Sequence, residues 1–167
     1  MLQIGEGVKY LHSRNLAHRG LKSGNILVQF SDPDSTSVAK IADFGMPAIK
    51  NASTSKKSFV GITEWIPPEL FGYEEDELLE PSLRFHPFKM DAYSFGMLCG
   101  EVLTGKTPFY NVKATTAEFR KLVKCGERPE LAEYEITCTR LGVIIQRCWD
   151  KDSRKRPDFS TIYTELR

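Results

Sequence analysis

His18-Arg19-Gly20-Leu21-Lys22-Ser23-Gly24-Asn25, followed directly by Ile26-Leu27-Val28-Gln29-Phe30, is the stretch on which the reading of this chain turns. The glycines and the closing Asn make its first half a loop, because these residues tolerate backbone angles that others avoid. The apolar run behind it is too short for a helix and suits a strand. Ser31-Asp-Pro-Asp-Ser35 then reads as a turn and Val38-Ala-Lys-Ile41 as a second strand, so the two runs predict a small two-stranded ribbon. Asp43-Phe44-Gly45 follows the ribbon, and Pro67-Pro68-Glu69 comes after a longer stretch.

Outward from this centre, the pattern is helical. Ile4, Val8 and Leu11 recur at i, i+4 and i+7 before the loop, and no Ser, Thr, Asp or Asn cap precedes them. That uncapped start is what a chain entering partway into a larger unit would show. Met90 to Leu103 is apolar on nearly every face, with Gly105 as its stop, which predicts a helix buried in the middle of a core. Phe119, Leu122 and Val123 predict a shorter amphipathic helix; Leu141, Ile144, Ile145 and Cys148 give one clean stripe, and Phe159, Ile162, Tyr163 and Leu166 another. Between Met46 and Pro68 the chain is rich in Ser, Thr, Lys and Pro without periodicity, a long functional loop. Glu74, Glu75, Asp76, Glu77 and Glu80 form an acidic cluster that reads as a solvated surface excursion. The fold class is therefore mainly α with one small ribbon.

Composition sets the outer limits. At 167 residues the chain has room for one domain with a substantial core. Lys plus Arg number 23 and Asp plus Glu 22, so no broad field exists to attract nucleic acid or anionic lipid, and partners have to be recognised locally. A 41% hydrophobic and 27% charged composition is that of a globular protein, and no stretch reads as a secretory signal or a membrane span. Cys99, Cys125, Cys138 and Cys148 are scattered, with no C-x-x-C pair, so neither a zinc site nor a disulfide framework is signalled and a cytoplasmic, reducing setting is expected.

The order His18-Arg-Gly-Leu-Lys-Ser-Gly-Asn25, Asp43-Phe-Gly45, Pro67-Pro-Glu69 resembles the second half of the eukaryotic protein kinase domain. Asp91-Ala-Tyr-Ser-Phe-Gly96 resembles the start of that family's buried central helix, and Cys148-Trp149 with Arg156-Pro157-Asp158-Phe159 resembles its closing helices. The resemblance covers essentially the whole chain and implies the C-terminal helical lobe of the kinase fold. Trp65 and the Cys-Trp…Arg-Pro ending are similar to the tyrosine-kinase-like group, and Lys22 within Leu-Lys-x-x-Asn favours Ser/Thr over Tyr as the acceptor.

Phosphoryl transfer needs metal ions to neutralise the polyphosphate and a carboxylate to orient the attacking hydroxyl. By resemblance Asp43 would hold magnesium bridging the phosphates of ATP, with Asn25 as a second, neutral oxygen ligand. Taken singly, Asp43 reads equally as a turn cap and Asn25 as a partner for loop backbone; the joint order of the motifs favours the metal role. Lys22 would stabilise the transferring phosphoryl group and Leu27 would form the floor under the adenine. His18 would be structural, packing against Phe44. Glu69 and Arg156 would form a buried ion pair tying the long loop to the helical core, and Asp91 would anchor the backbone of the His-Arg loop.

Three departures weigh against ordinary catalysis. Gly20 stands where active relatives carry the catalytic Asp. A general base contributes about 10²–10⁴-fold, roughly 3–5.5 kcal/mol of barrier, so Gly20 predicts a severe defect rather than silence. Ile62 replaces the Thr whose hydroxyl bonds the catalytic Asp and Lys, and Pro67 replaces the first residue of Ala-Pro-Glu. No Gly-x-Gly-x-x-Gly loop and no strand Lys occur among these residues, so nucleotide binding by this chain alone is expected to be weak or absent, and an apolar docking surface should be exposed. Ser53, Thr54, Ser55 and Ser58, among Lys50, Lys56 and Lys57, are candidate phosphosites that Arg19 could pair with; a plain Ser-rich surface loop is the equal alternative. The expected function is a kinase-like lobe of impaired catalysis that binds protein partners, with a fragment of an active Ser/Thr kinase as the alternative.

Overall fold

The computed structural model describes residues 1–30, 37–44, 63–71, 86–131 and 139–167. Gly45, Ile62, Ser53, Thr54, Ser55, Ser58, the acidic cluster from Glu74 to Glu80 and Cys138 lie outside the described residues.

Helix α1, Leu2–Ser13, buries Ile4, Gly5, Val8 and Leu11, the face set by the i, i+4, i+7 spacing, and Met1 gives it no side-chain cap. Strands β1, Ile26–Gln29, and β2, Val38–Ile41, pair antiparallel with Ile26 opposite Ile41 and Gln29 opposite Val38. α1 lies close against β2: a Cβ placed on Gly7 would sit 2.8 Å from Ile41 Cδ1, so a larger residue there would need the Ile41 side chain to move. The Gln3 side chain completes the contact, its Oε1 accepting from Ala39 N–H at 2.6 Å and its Nε2 donating to Ser37 C=O at 3.3 Å. Successive residues of a strand point their backbone groups to opposite edges, and Ser37 and Ala39 are the ones turned away from β1. One glutamine amide thus occupies the edge where a third strand would pair.

Helix α2, Pro87–Thr104, is the centre of the lobe. It opens on Pro87, three residues ahead of the apolar run, because proline's fixed φ and missing N–H suit a first helical turn. Every residue from Met90 to Gly100 is buried, and Gly105 ends the helix at φ +67°. Helix α3, Thr116–Cys125, is held by a capping box in which Thr115 and Glu118 satisfy each other's backbone; it buries Val123 and leaves Leu122 on the surface, so its apolar face is narrower than the sequence suggested. Helix α4, Arg140–Cys148, is capped by Thr139 and crosses α2 at Gly96, where a Cβ would come within 2.9 Å of Cys148 Cβ. Helix α5, Phe159–Leu166, is capped by Asp158, which accepts from Thr161 N–H at 2.8 Å. It returns across α1, with Leu166 3.3 Å from the Cβ position of Gly5 and Lys9 Nζ 4.5 Å over the Tyr163 ring. The first and last helices close around α2. No helix among the described residues is long and apolar enough to cross a membrane.

Candidate active site

The loop between α1 and β1 has no regular hydrogen-bonding ladder of its own, so something else must shape it. Asp91, at the buried start of α2 and 1% exposed, does so at one end: its Oδ2 accepts from His18 N–H and its Oδ1 from Arg19 N–H, both at 2.7 Å. The same Oδ2 lies 2.8 Å from His12 Nε2, and the His12 ring is stacked on Phe88 at 4.3 Å. Two neighbouring amides and an imidazole converging on one buried carboxylate satisfy a charge that would otherwise be costly to bury. Arg19 is forced to φ +64°, a strained conformation for a residue with a side chain.

Beyond Arg19 the loop turns on itself. Gly20 N–H donates to His18 Nδ1 at 3.3 Å, and Asn25 Nδ2 donates to Gly20 C=O at 2.7 Å. Leu21 is buried in the core, Lys22 is extended at φ −160°, and Ser23–Asn25 form one 3₁₀ turn. His18 is fully buried; desolvation pushes its imidazole below the ordinary histidine range, against the weaker opposing pull of Asp91.

The ribbon brings the second half of the site beside this loop. Ala42 N–H donates to Asn25 C=O at 2.8 Å, which extends the ladder one pair past Ile26 and Ile41 and leaves Asp43 as the next residue beyond Asn25's partner. Asp43 is exposed at φ +56°, a second left-handed residue of this region after Arg19. One carboxylate and one amide oxygen do not make a cation cage, and no group of three or more His, Cys, Asp or Glu among the described residues does. A carboxylate and an amide oxygen are hard donors of the kind magnesium accepts, an ion that binds through one or two protein ligands and takes the rest from phosphates and water.

The remaining residues fall into two sets. Glu69, on the turn Pro68–Leu70, meets Arg156 in a bidentate pair, with Arg156 Nη1 2.7 Å from Oε1 and Nη2 2.8 Å from Oε2. Arg156 is fully buried, donates also to the carbonyls of Asp150 and Lys89, and lies 5.0 Å over the Tyr93 ring. Trp65 is buried, its carbonyl accepting from Ser94 Oγ at 2.9 Å, so the Trp65–Glu69 segment is tied to α2 and to the chain's end together. Leu27 and Phe44 form the other set. Leu27, on β1, is 61% exposed, and Phe30, just past the strand, is 81% exposed.

A family profile described as protein tyrosine and serine/threonine kinase matches residues 1–166. The chain belongs to the protein kinase family. It is similar to a light-sensor protein kinase of Ceratodon purpureus, 37% identical over all of this chain and 14% of that protein. It is also similar to two proteins of Arabidopsis thaliana, a serine/threonine/tyrosine-protein kinase at 36% identity and a serine/threonine-protein kinase at 32%. Each match spans 99% of this chain, but 38% and 26% of the respective relatives. The chain thus covers well under half the length of each of these relatives. Proteins of this family use ATP with magnesium.

Within this kinase lobe Phe44, expected to pack against His18, is more than half open to solvent. Phe44 is 56% exposed and no ring contact joins it to His18 among the described residues. The His18 imidazole is fully buried, with Nδ1 accepting from Gly20 N–H at 3.3 Å. Three partners escaped the reading of the sequence. His12 falls four residues after Val8, on the buried side of α1, where a polar ring needs a partner. Glu101 and Asp91 are the two carboxylates in the apolar run of α2, and charges in such a run are paired. Ser23 donates to Glu101 Oε1 at 2.9 Å, and nothing in its sequence surroundings signals that bond.

Proposed function

We propose that residues 1–167 form one kinase-like unit that transfers phosphoryl groups poorly and acts by binding protein partners, in the reducing interior of the cell where its free thiols persist. The observation that carries this reading is Gly20. The loop around it is fully anchored, yet the place of the catalytic carboxylate is bare: the nearest atoms to a Cβ there are Asn25 Nδ2 at 3.7 Å and His18 Nδ1 at 3.9 Å. Both are ordinary contact distances, so the surroundings still accommodate a side chain that the chain does not supply. Asp43 and Asn25 would hold magnesium, which neutralises phosphate charge when bound, and Leu27 would lie under the adenine of ATP. Lys22, at the loop's extended point, would meet the phosphoryl oxygens. Without a carboxylate at position 20, that position can neither orient the attacking hydroxyl nor receive its proton.

The retained Lys22, Asn25 and Asp43 favour a second reading, an active Ser/Thr protein kinase. Magnesium-dependent transfer to a Ser/Thr peptide, measured on the intact protein carrying these residues, separates the two. We expect Gly20→Asp to exceed the parent by about 10²–10⁴-fold, or both to stay inactive if the decay is wider. A parent as active as Gly20→Asp, and silenced by Asp43→Ala, would overturn the proposal.

A further inference from the structure

The two carboxylates in the apolar run of α2 stand ten residues apart, and each faces the same loop. Asp91 takes the amides of His18 and Arg19 at its start. Glu101 takes the hydroxyl of Ser23 near its end, at 2.9 Å, across 78 residues of sequence. We propose that Glu101 is a positioning residue: through Ser23 it fixes the Lys22–Asn25 half of the loop independently of Asp91.

The geometry requires an anchor there. Lys22 is fully extended and Gly24 offers no side chain, so the 3₁₀ turn Ser23–Asn25 has only Asn25 N–H to Lys22 C=O at 3.0 Å and Ile26 N–H to Ser23 C=O as internal backbone bonds. Leu21 fixes the chain before this turn by burial, and the ribbon fixes it after Asn25. Ser23 is the point between them at which a side chain reaches the central helix. An acceptor that carries charge makes this hydroxyl bond stronger than a neutral pair. The inference rests on placing Lys22 and Asn25 on the phosphate side of the site, but its test does not need catalysis.

The test is amide hydrogen exchange on the intact protein. Ser23→Ala and Glu101→Ala should each speed exchange at the bonded amides of Asn25 and Ile26 about tenfold, while His18 and Arg19, held by Asp91, stay protected. The double variant should be no faster than either single one, Ser23→Thr should restore protection, and Ser23→Glu, which sets two carboxylates against each other, should exceed Ser23→Ala. Protection of Tyr93–Leu98 in α2 reports that the fold is intact; if Glu101→Ala loses it, the exposed Ser23 variants decide the question alone. Unchanged exchange at Asn25 and Ile26 in Ser23→Ala, equal loss at His18 and Arg19, or failure of Ser23→Thr to restore protection would overturn the proposal. None of these outcomes depends on whether Gly20 has impaired transfer.

Discussion

Removing the Glu69 carboxylate tests how the segment after Trp65 is held to the lobe. In Glu69→Ala the Arg156 guanidinium stays fully buried, 5.0 Å over the Tyr93 ring, and loses both oxygens of its bidentate partner. Breaking a buried pair from one side costs about 3–5 kcal/mol. The carbonyls of Asp150 and Lys89 continue to accept from Arg156, at 2.7 and 3.1 Å, which puts the cost near the lower end, about 3 kcal/mol. For a chain of this size that is roughly 6–12 °C in melting temperature. The assay is urea unfolding followed by tryptophan fluorescence, since Trp65 and Trp149 are both buried. The double variant Glu69→Leu with Arg156→Met removes both charges and should be more stable than either single variant. A cost below about 1 kcal/mol for Glu69→Ala, or a double variant worse than both singles, would refute the argument that the uncompensated charge is what destabilises.

Gly96→Ala should destabilise by about 1–3 kcal/mol, because the new Cβ meets Cys148 Cβ at 2.9 Å and the Ile145 carbonyl at 3.3 Å. Cys148→Ala, which keeps the offending Cβ, should not rescue it, and Gly100→Ala, with its nearest atom at 3.6 Å, should cost little by the same unfolding assay. The buried His18 predicts a pH dependence. Its folded-state pKa lies below the ordinary 6.5, so the unfolded chain binds the extra proton first and stability falls as pH drops below about 6.5. Unfolding free energies from pH 8 to pH 5 should show that slope in the parent and a flatter one in His18→Gln; parallel curves would remove His18 as the cause.

Local pattern carried the helices and the ribbon because each is specified by its own residues. Ile4, Val8 and Leu11 sit on one face by spacing alone, and the unbroken apolar run of α2 has nowhere to go but the core. Boundaries were less legible where the reading followed the apolar run: Pro87 starts α2 ahead of Met90, although a proline is a recognised opening residue. The site is different in kind. Glu69 and Arg156 are 87 residues apart, and no periodicity links them; only resemblance to a family suggested that they belong together. The left-handed backbone of Asp43, beside the exposed Phe44, was hidden for the opposite reason: it is a property of one residue, which an Asp adopts more readily than most but does not announce.

The hydrogen bonds that shape the His18–Asn25 loop also imply an order of events. His18 depends on Asp91, 73 residues later, and Ser23 on Glu101, 78 later. The α1–α5 contact waits for Phe159–Leu166. Bonds between such distant partners form only after the intervening chain has closed its loops, which makes them slow to arise. During synthesis, then, the segment that carries Lys22, Asn25 and the bare position at Gly20 leaves the ribosome before α2 does but takes its shape only afterwards, remaining a pliable strap until α2 arrives to be its mould.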